Sequence, residues 1–253
     1  PFNAGGACFG ALNRIYYLIW VRDGAMTASM VARAGNPDMV RTWTPFLLAN
    51  PSVRRREDGT RVPEFLQMVG TRWTKSEDDG VYYAALSLYT LYQTTGQIDL
   101  LGTTDFERYL DALDANIADR FDEAEGLFGS DTLGETTLAG SAMFGYDSVN
   151  GKMSRKLSRT DAGGQPLQRV YTLYHNVNLY NTLRMTEALL AAAGRADDPR
   201  VARYGKLADK VRRTLRERFV NEDGHFHAYL AHLADGTTRW VEFPKSDYWE
   251  YAW

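Results

Sequence analysis

The sequence predicts an all-α chain built from helical hairpins, and three observations predict it. Apolar residues recur at helical spacing in stretches that stop at Gly or Pro. A short pattern, R-F-x4-G-x-F, closes two of the hairpins at an offset of 98 residues, as Arg120-Phe121 with Gly126-Leu127-Phe128 and as Arg218-Phe219 with Gly224-His225-Phe226. Polar segments between the helices hold most of the isolated acids and aromatics.

Taken in order, residues 24–34 carry helical spacing and stop at Gly35. Residues 37–49 open on Pro37, a good first-turn residue, and end before Asn50-Pro51. Residues 51–78 are polar, carry Gly and Pro, and read as a long loop. Residues 80–95 are apolar nearly all round and end at Gly96, the pattern of a helix buried on most faces. Residues 104–121 are amphipathic, with Phe106, Leu110, Leu113 and Ile117 on one stripe. Residues 126–168 read as loop-rich, 169–193 as a long apolar helix ending at Gly194, 198–219 as a charged amphipathic helix, and 220–253 as a further loop. The second and third hairpins share an apolar first helix and a charged second one. Such a repeat builds a double-layered ring or solenoid, with the long loops lining a central cavity.

Composition bounds the rest. At 253 residues the chain can bury a sizeable core. A net charge of −3 with mixed signs gives no nucleic-acid footprint, and Arg54-Arg55-Arg56 reads as a solvated loop. The single cysteine, Cys8, excludes an intrachain disulfide and leaves the compartment unread. No apolar run approaches the roughly 20 residues of a membrane span. The chain begins at Pro1 rather than Met, so we expect it to start after processing or inside a longer protein.

The segment Trp20-Val21-Arg22-Asp23-Gly24 is the strongest local signal. An Arg-Asp pair behind Tyr16, Tyr17 and Trp20 can hold a polyhydroxyl ligand: the carboxylate accepts from vicinal hydroxyls and the guanidinium donates a planar fork. The same residues also suit a helix cap with a surface Arg. Glu77, Asp78 and Asp79 precede the apolar helix, where they favour its dipole or reach a pocket. His175, Asn176 and Asn178 interrupt an apolar helix, so they bond to one another in the core or face a cavity. Asp147, flanked by aromatics, reads as a subsite residue or a turn Asp. His175, His225, His227 and His232 lack metal spacing with acids, so neither a metal nor a cofactor is expected.

The order of Trp20-Val21-Arg22-Asp23-Gly24, then Glu77-Asp78-Asp79-Gly80, then Tyr174-His175-Asn176-Val177-Asn178-Leu179-Tyr180-Asn181-Thr182-Leu183-Arg184 resembles the six-hairpin (α/α)6 glycoside hydrolases. Glucoamylases, glycogen-debranching amylo-1,6-glucosidases and processing α-glucosidases belong to that group. The resemblance spans about residues 16–195. It implies an (α/α)6 toroid, and six helices rather than twelve imply that 1–253 is one barrel domain covering only part of it. It also implies an inverting, exo-acting hydrolase of α-linked glucosides or a related oligosaccharide. In such enzymes one carboxylic acid protonates the leaving oxygen while a second carboxylate, roughly 6.5–9.5 Å away, activates water.

By that resemblance Asp131 or Glu135 is the general acid, although the family's W-E or W-D signature is not literally present after Phe128. Both residues equally suit a cap and a first helical turn. Arg22 and Asp23 bind the terminal sugar, while Trp20, Trp73, Asp79, Asp147, His175 and Asn176 complete the substrate pocket. The base comes from a later hairpin in the family; within this chain its candidates are Glu242, Asp247 and Glu250. The alternative class is non-hydrolytic: a sugar epimerase, a polysaccharide lyase or a carbohydrate-binding helical scaffold. An epimerase favours His pairs over acid pairs. A pure scaffold has no reason to gather acids and aromatics in its loops. Partners are a glycoside or oligosaccharide, with no nucleic acid and no membrane; oligomeric state is open.

Overall fold

The computed structural model describes residues 18–19, 21–55, 59–65, 67–69, 72–75, 79–129, 146–147, 152–153 and 167–242. Six helices dominate the described residues, and they fall into three consecutive pairs as the periodicity predicts. The chain divides into two compact units, Pro1–Asp119 with Asn181–Lys206, and Arg120–Tyr180 with Leu207–Trp253.

The first unit opens with strand β1 (Leu18–Ile19), helix α1 (Val21–Arg33) and helix α2 (Asp38–Ala49). Residues 51–78, read as loop, instead form four short strands: β2 (Ser52–Arg55), β3 (Arg61–Glu64), β4 (Gln67–Val69) and β5 (Arg72–Lys75). β2 pairs β3, and β4 pairs both β1 and β5, all antiparallel. Strands this short take their stability from cross-strand pairing rather than from any pattern within one strand. Helix α3 (Gly80–Thr95) follows, then α4 (Thr104–Arg120).

The core of this unit lies where α1, α2 and α3 pack against one another. Trp43 of α2 is fully buried. Its Nε1 donates to Ser87 Oγ of α3 at 3.1 Å, and its ring lies where a Cβ on Gly24 would sit, 2.4 Å away. Gly24 is therefore a packing requirement of α1. Thr90 Oγ1 donates to Ser29 Oγ at 3.2 Å and ties α3 to α1. On α4 the forecast stripe holds: Phe106, Leu110 and Leu113 are fully buried, and Ile117 is half-buried.

Helix α5 (Leu173–Ala192) and helix α6 (Pro199–Arg218) are shared between the units. The reading of 169–193 as helix is corrected at its start, because Leu167–Thr172 is a strand, β10. In the second unit β10 pairs β11 (His227–Leu233), which pairs β12 (Thr238–Glu242), all antiparallel. These replace the loop expected over 220–242. Two shorter hairpins join β6 (Phe121–Asp122) to β7 (Leu127–Phe128), and β8 (Tyr146–Asp147) to β9 (Lys152–Met153).

The 98-residue repeat survives in the structure. Gly126 and Gly224 both take positive φ, +68° and +79°, where glycine turns at no steric cost. Phe121 pairs Phe128 in one copy and Val220 bridges Phe226 in the other, a register one residue different. Phe106, Leu110 and Leu113 on α4 correspond at that offset to Tyr204, Ala208 and Val211 on α6, and all six are fully buried.

Candidate functional site

In the first unit, two of the sequence-predicted residues meet. Arg22 stands in the first turn of α1, and Asp79 directly precedes α3. Arg22 Nε donates to Asp79 Oδ2 at 3.1 Å across 57 residues of sequence, and Nη2 completes the ion pair 3.1 Å from the same oxygen. The Asp79 side chain is 1% exposed and that of Arg22 31%, so the carboxylate is enclosed while the guanidinium reaches solvent. Asp79 makes no side-chain cap to α3. The pair depends on a tight approach: a Cβ on Gly80 would lie 1.8 Å from the Phe65 carbonyl oxygen. Asp23, next to Arg22, is exposed in the first turn of α1, where a carboxylate also favours the helix dipole.

The second unit holds His175 and Asn176, both buried near the start of α5. Thr172 caps that helix, its Oγ1 accepting from the His175 N–H at 3.1 Å. Asn176 neither pairs with a helical neighbour's side chain nor leaves its amide idle. Its Oδ1 accepts from the Phe128 N–H at 2.8 Å, and its Nδ2 donates to the Phe128 carbonyl at 3.0 Å and the Thr172 carbonyl at 2.9 Å. The side chain thus clamps both backbone groups of Phe128.

More contacts fix the same turn. Tyr171 Oη donates to Asp122 Oδ2 at 2.7 Å, while Asp122 Oδ1 accepts from the Ala124 and Glu125 N–H groups at 3.0 and 3.2 Å. Partial burial would raise the Asp122 carboxyl, but the Tyr171 hydroxyl, these N–H groups and the Arg169 guanidinium outweigh it and hold it below its ordinary value. The Tyr171 hydroxyl is pushed up by burial and by that carboxylate. Arg169 Nη2 donates to the Arg120 carbonyl at 2.9 Å.

Three glycines, at 126, 129 and 134, are candidates for close approach to a ligand. Gly126 instead makes the turn, and a Cβ there would lie 2.8 Å from Thr214 Oγ1. Gly129 admits Arg169 Nε and Tyr171 Cε1, which would lie 2.5 and 2.8 Å from a Cβ. Gly134 lies outside the described residues. The 120–129 turn is thus a rigid frame two residues upstream of Asp131. Asp122, Arg169 and Tyr171 were not singled out by sequence; the recurrent R-F-x4-G-x-F was the one signal pointing there.

Trp20, Glu77, Asp78, Asp131, Glu135, Asp247 and Glu250 lie outside the described residues. Trp73 lies in β5, Asp147 in β8 and Glu242 in β12, with side chains outside what is described. Asn178 is buried. Among the described residues no group of three or more His, Cys, Asp and Glu could hold a metal ion. No described helix is long and apolar enough to cross a membrane.

No family model matches the sequence, and no curated protein does. Solved structures show a distant similarity. A Streptococcus pneumoniae metal-independent alpha mannosidase, in a non-productive complex with alpha-1,6-mannobiose, is 15% identical with a TM-score of 0.45. The match covers 83% of this chain and 54% of that one. A C. acetobutylicum family 105 glycoside hydrolase is 12% identical with a TM-score of 0.41, covering 85% of this chain and 54% of that one. The chain therefore spans about half the length of the structures it matches.

Proposed function

We propose that this chain is part of an (α/α)6 glycoside hydrolase, exo-acting and inverting, that takes α-linked glucosides or a related oligosaccharide. The observation that carries the reading is the Arg22–Asp79 pair: an enclosed carboxylate held by a guanidinium that still reaches solvent, at the starts of two packed helices. A sugar offers hydroxyls that donate to carboxylates and accept from guanidinium, so this pairing suits its recognition. Residues 16–195 support the reading through their resemblance to the six-hairpin enzymes. Arg22 and Asp23 hold the terminal sugar, with Trp20, Trp73, Asp79, Asp147 and His175 as further pocket residues. Asp131, or failing it Glu135, is the general acid. Asn176 belongs to the site as a positioning residue, clamping Phe128 three residues before Asp131.

The test is Michaelis–Menten kinetics on an activated and an unactivated glycoside. A general acid contributes roughly 10²–10⁴-fold. Asp131→Asn should lose turnover in that range, most on the poor leaving group, and leave sugar binding nearly intact. Asp23→Asn should weaken binding and turnover together. Wild-type turnover of the unactivated substrate in both Asp131→Asn and Glu135→Gln would remove the acid assignment. No sugar released from any glycoside by the intact protein would remove the hydrolase reading.

A further inference from the structure

The first unit contains a pocket that the Arg22–Asp79 pair does not use. It has a volume of about 260 Å³ and lies among α1, α3 and the part of α5 after Asn181. Tyr82, Leu86 and Tyr89 line one wall, and they continue along α3 the face that Asp79 begins, since positions 79, 82, 86 and 89 fall on one side of a helix. Asn181 and Met185 line the other wall, and Arg33 stands at the end of α1.

The chemistry of the lining is selective. Two tyrosines give flat faces with polar edges, and the Tyr82 ring is held edge-on by Tyr83, with 4.8 Å between centroids. Burial pushes the Tyr82 hydroxyl up even with Arg33 close by, so it stays protonated, able to donate and accept. Asn181 offers both functions as well. The charges do not balance. Arg184, also in the lining, is matched by Glu187 at 2.9 Å. Among the described residues Arg33 forms no ion pair, and none of those that line the pocket is an acid. One guanidinium is left over beside hydroxyls and an amide. Its fork matches a carboxylate or phosphate better than any neutral group. The volume falls just under the roughly 300–1,000 Å³ of drug-sized sites, which suits a single ring.

We infer that this pocket binds one sugar-sized ring bearing an anionic group, a carboxylate or a phosphate, with Arg33 on the anion, Tyr82 and Asn181 on hydroxyls and Tyr89 against the ring. The assignment stands apart from the hydrolase reading, because it invokes neither Asp131 nor turnover. The experiment is calorimetric titration of the whole chain with D-glucuronate, D-glucose 6-phosphate and D-glucose. At least one anionic sugar should bind about tenfold or more tightly than glucose, and the two anionic arms tell carboxylate from phosphate. Arg33→Gln should erase that preference, a loss of about 10- to 100-fold for one charge-assisted bond. Arg33→Lys, which keeps the charge without the fork, should retain part of it. Tyr89→Ala should weaken all ligands alike. Arg33 is exposed, so its variants should keep the wild-type circular dichroism and melting temperature. No binding of any probe, equal binding of glucose, or a preference that survives Arg33→Gln would each overturn the assignment. A chain that binds the anionic sugar but hydrolyses nothing would overturn only the hydrolase reading.

Discussion

Asn176→Ala isolates the clamp on the 120–129 turn. The wild-type amide is fully buried and makes three hydrogen bonds of 2.8, 3.0 and 2.9 Å to Phe128 and Thr172. Truncation strips the partner from the Phe128 N–H, and Phe128 is itself fully buried. A buried donor left unsatisfied costs about 1–3 kcal/mol, and each net bond lost adds about 1 kcal/mol. With the other two bonds counted, the sum is about 3–5 kcal/mol, which lowers the melting temperature by about 6–20 °C for a chain of this size. Asn176→Asp sharpens the test. It keeps the shape and the acceptor but turns an oxygen toward the two carbonyls that Nδ2 now serves. A buried carboxylate facing carbonyls has a raised pKa, so its folded-state penalty is absent below the ordinary value of about 3.9 and grows as pH rises. The variant should be the less stable of the two at pH 7 and should recover toward wild type in acid. Urea and thermal unfolding at pH 4 and pH 7 measure both effects, with the turn followed by amide exchange at Phe128. A loss under about 0.5 kcal/mol for Asn176→Ala, or wild-type stability of Asn176→Asp at pH 7, would refute the hydrogen-bond account.

Three further outcomes follow from the same kind of reasoning. Gly80→Ala should cost about 3 kcal/mol or more, since its Cβ meets the Phe65 backbone oxygen at 1.8 Å and backbone cannot swing aside; thermal unfolding against an exposed Gly→Ala control such as Gly102→Ala checks this. The lowered Asp122 carboxyl contributes stability that is present above its ordinary value of 3.8 and is lost as pH falls through its folded value. Melting temperatures from pH 2 to 7 should therefore fall less steeply at the acid end in Asp122→Asn, and an unchanged slope would count against the Tyr171–Asp122 bond as its source. Arg22→Lys keeps the charge but replaces the two-pronged contact with a single donor. It should cost about 1 kcal/mol in urea unfolding and, on the proposed function, raise KM more than it lowers kcat.

The helices were legible in the sequence because an α-helix carries its own signature. The 3.6-residue period of Phe106, Leu110 and Leu113, the apolar run of 80–95 and the stops at Gly96 and Gly194 are all local, and α3, α4 and α6 lie within a residue or so of where that period puts them. The repeat was legible for the same reason: two hairpins that bury the same positions and close on the same glycine turn retain the same letters. The short strands were not, because β2 to β5 and the β10–β11–β12 sheet exist through their partners, and Leu167 finds Leu233 only once the chain is folded. The site divides in the same way. Arg22, Asp79 and Asn176 stood out as polar residues where apolar ones were due, but polarity does not name a partner. Packing of α1 against α3, fixed by Trp43 on Gly24, delivers Arg22 to an aspartate 57 residues away. Asn176, for which one turn of chain supplies only the Thr172 carbonyl, is completed by the backbone of Phe128. A residue's type reveals that it needs a hydrogen bond, and only the tertiary structure decides which group, distant in sequence, is brought near enough to make it.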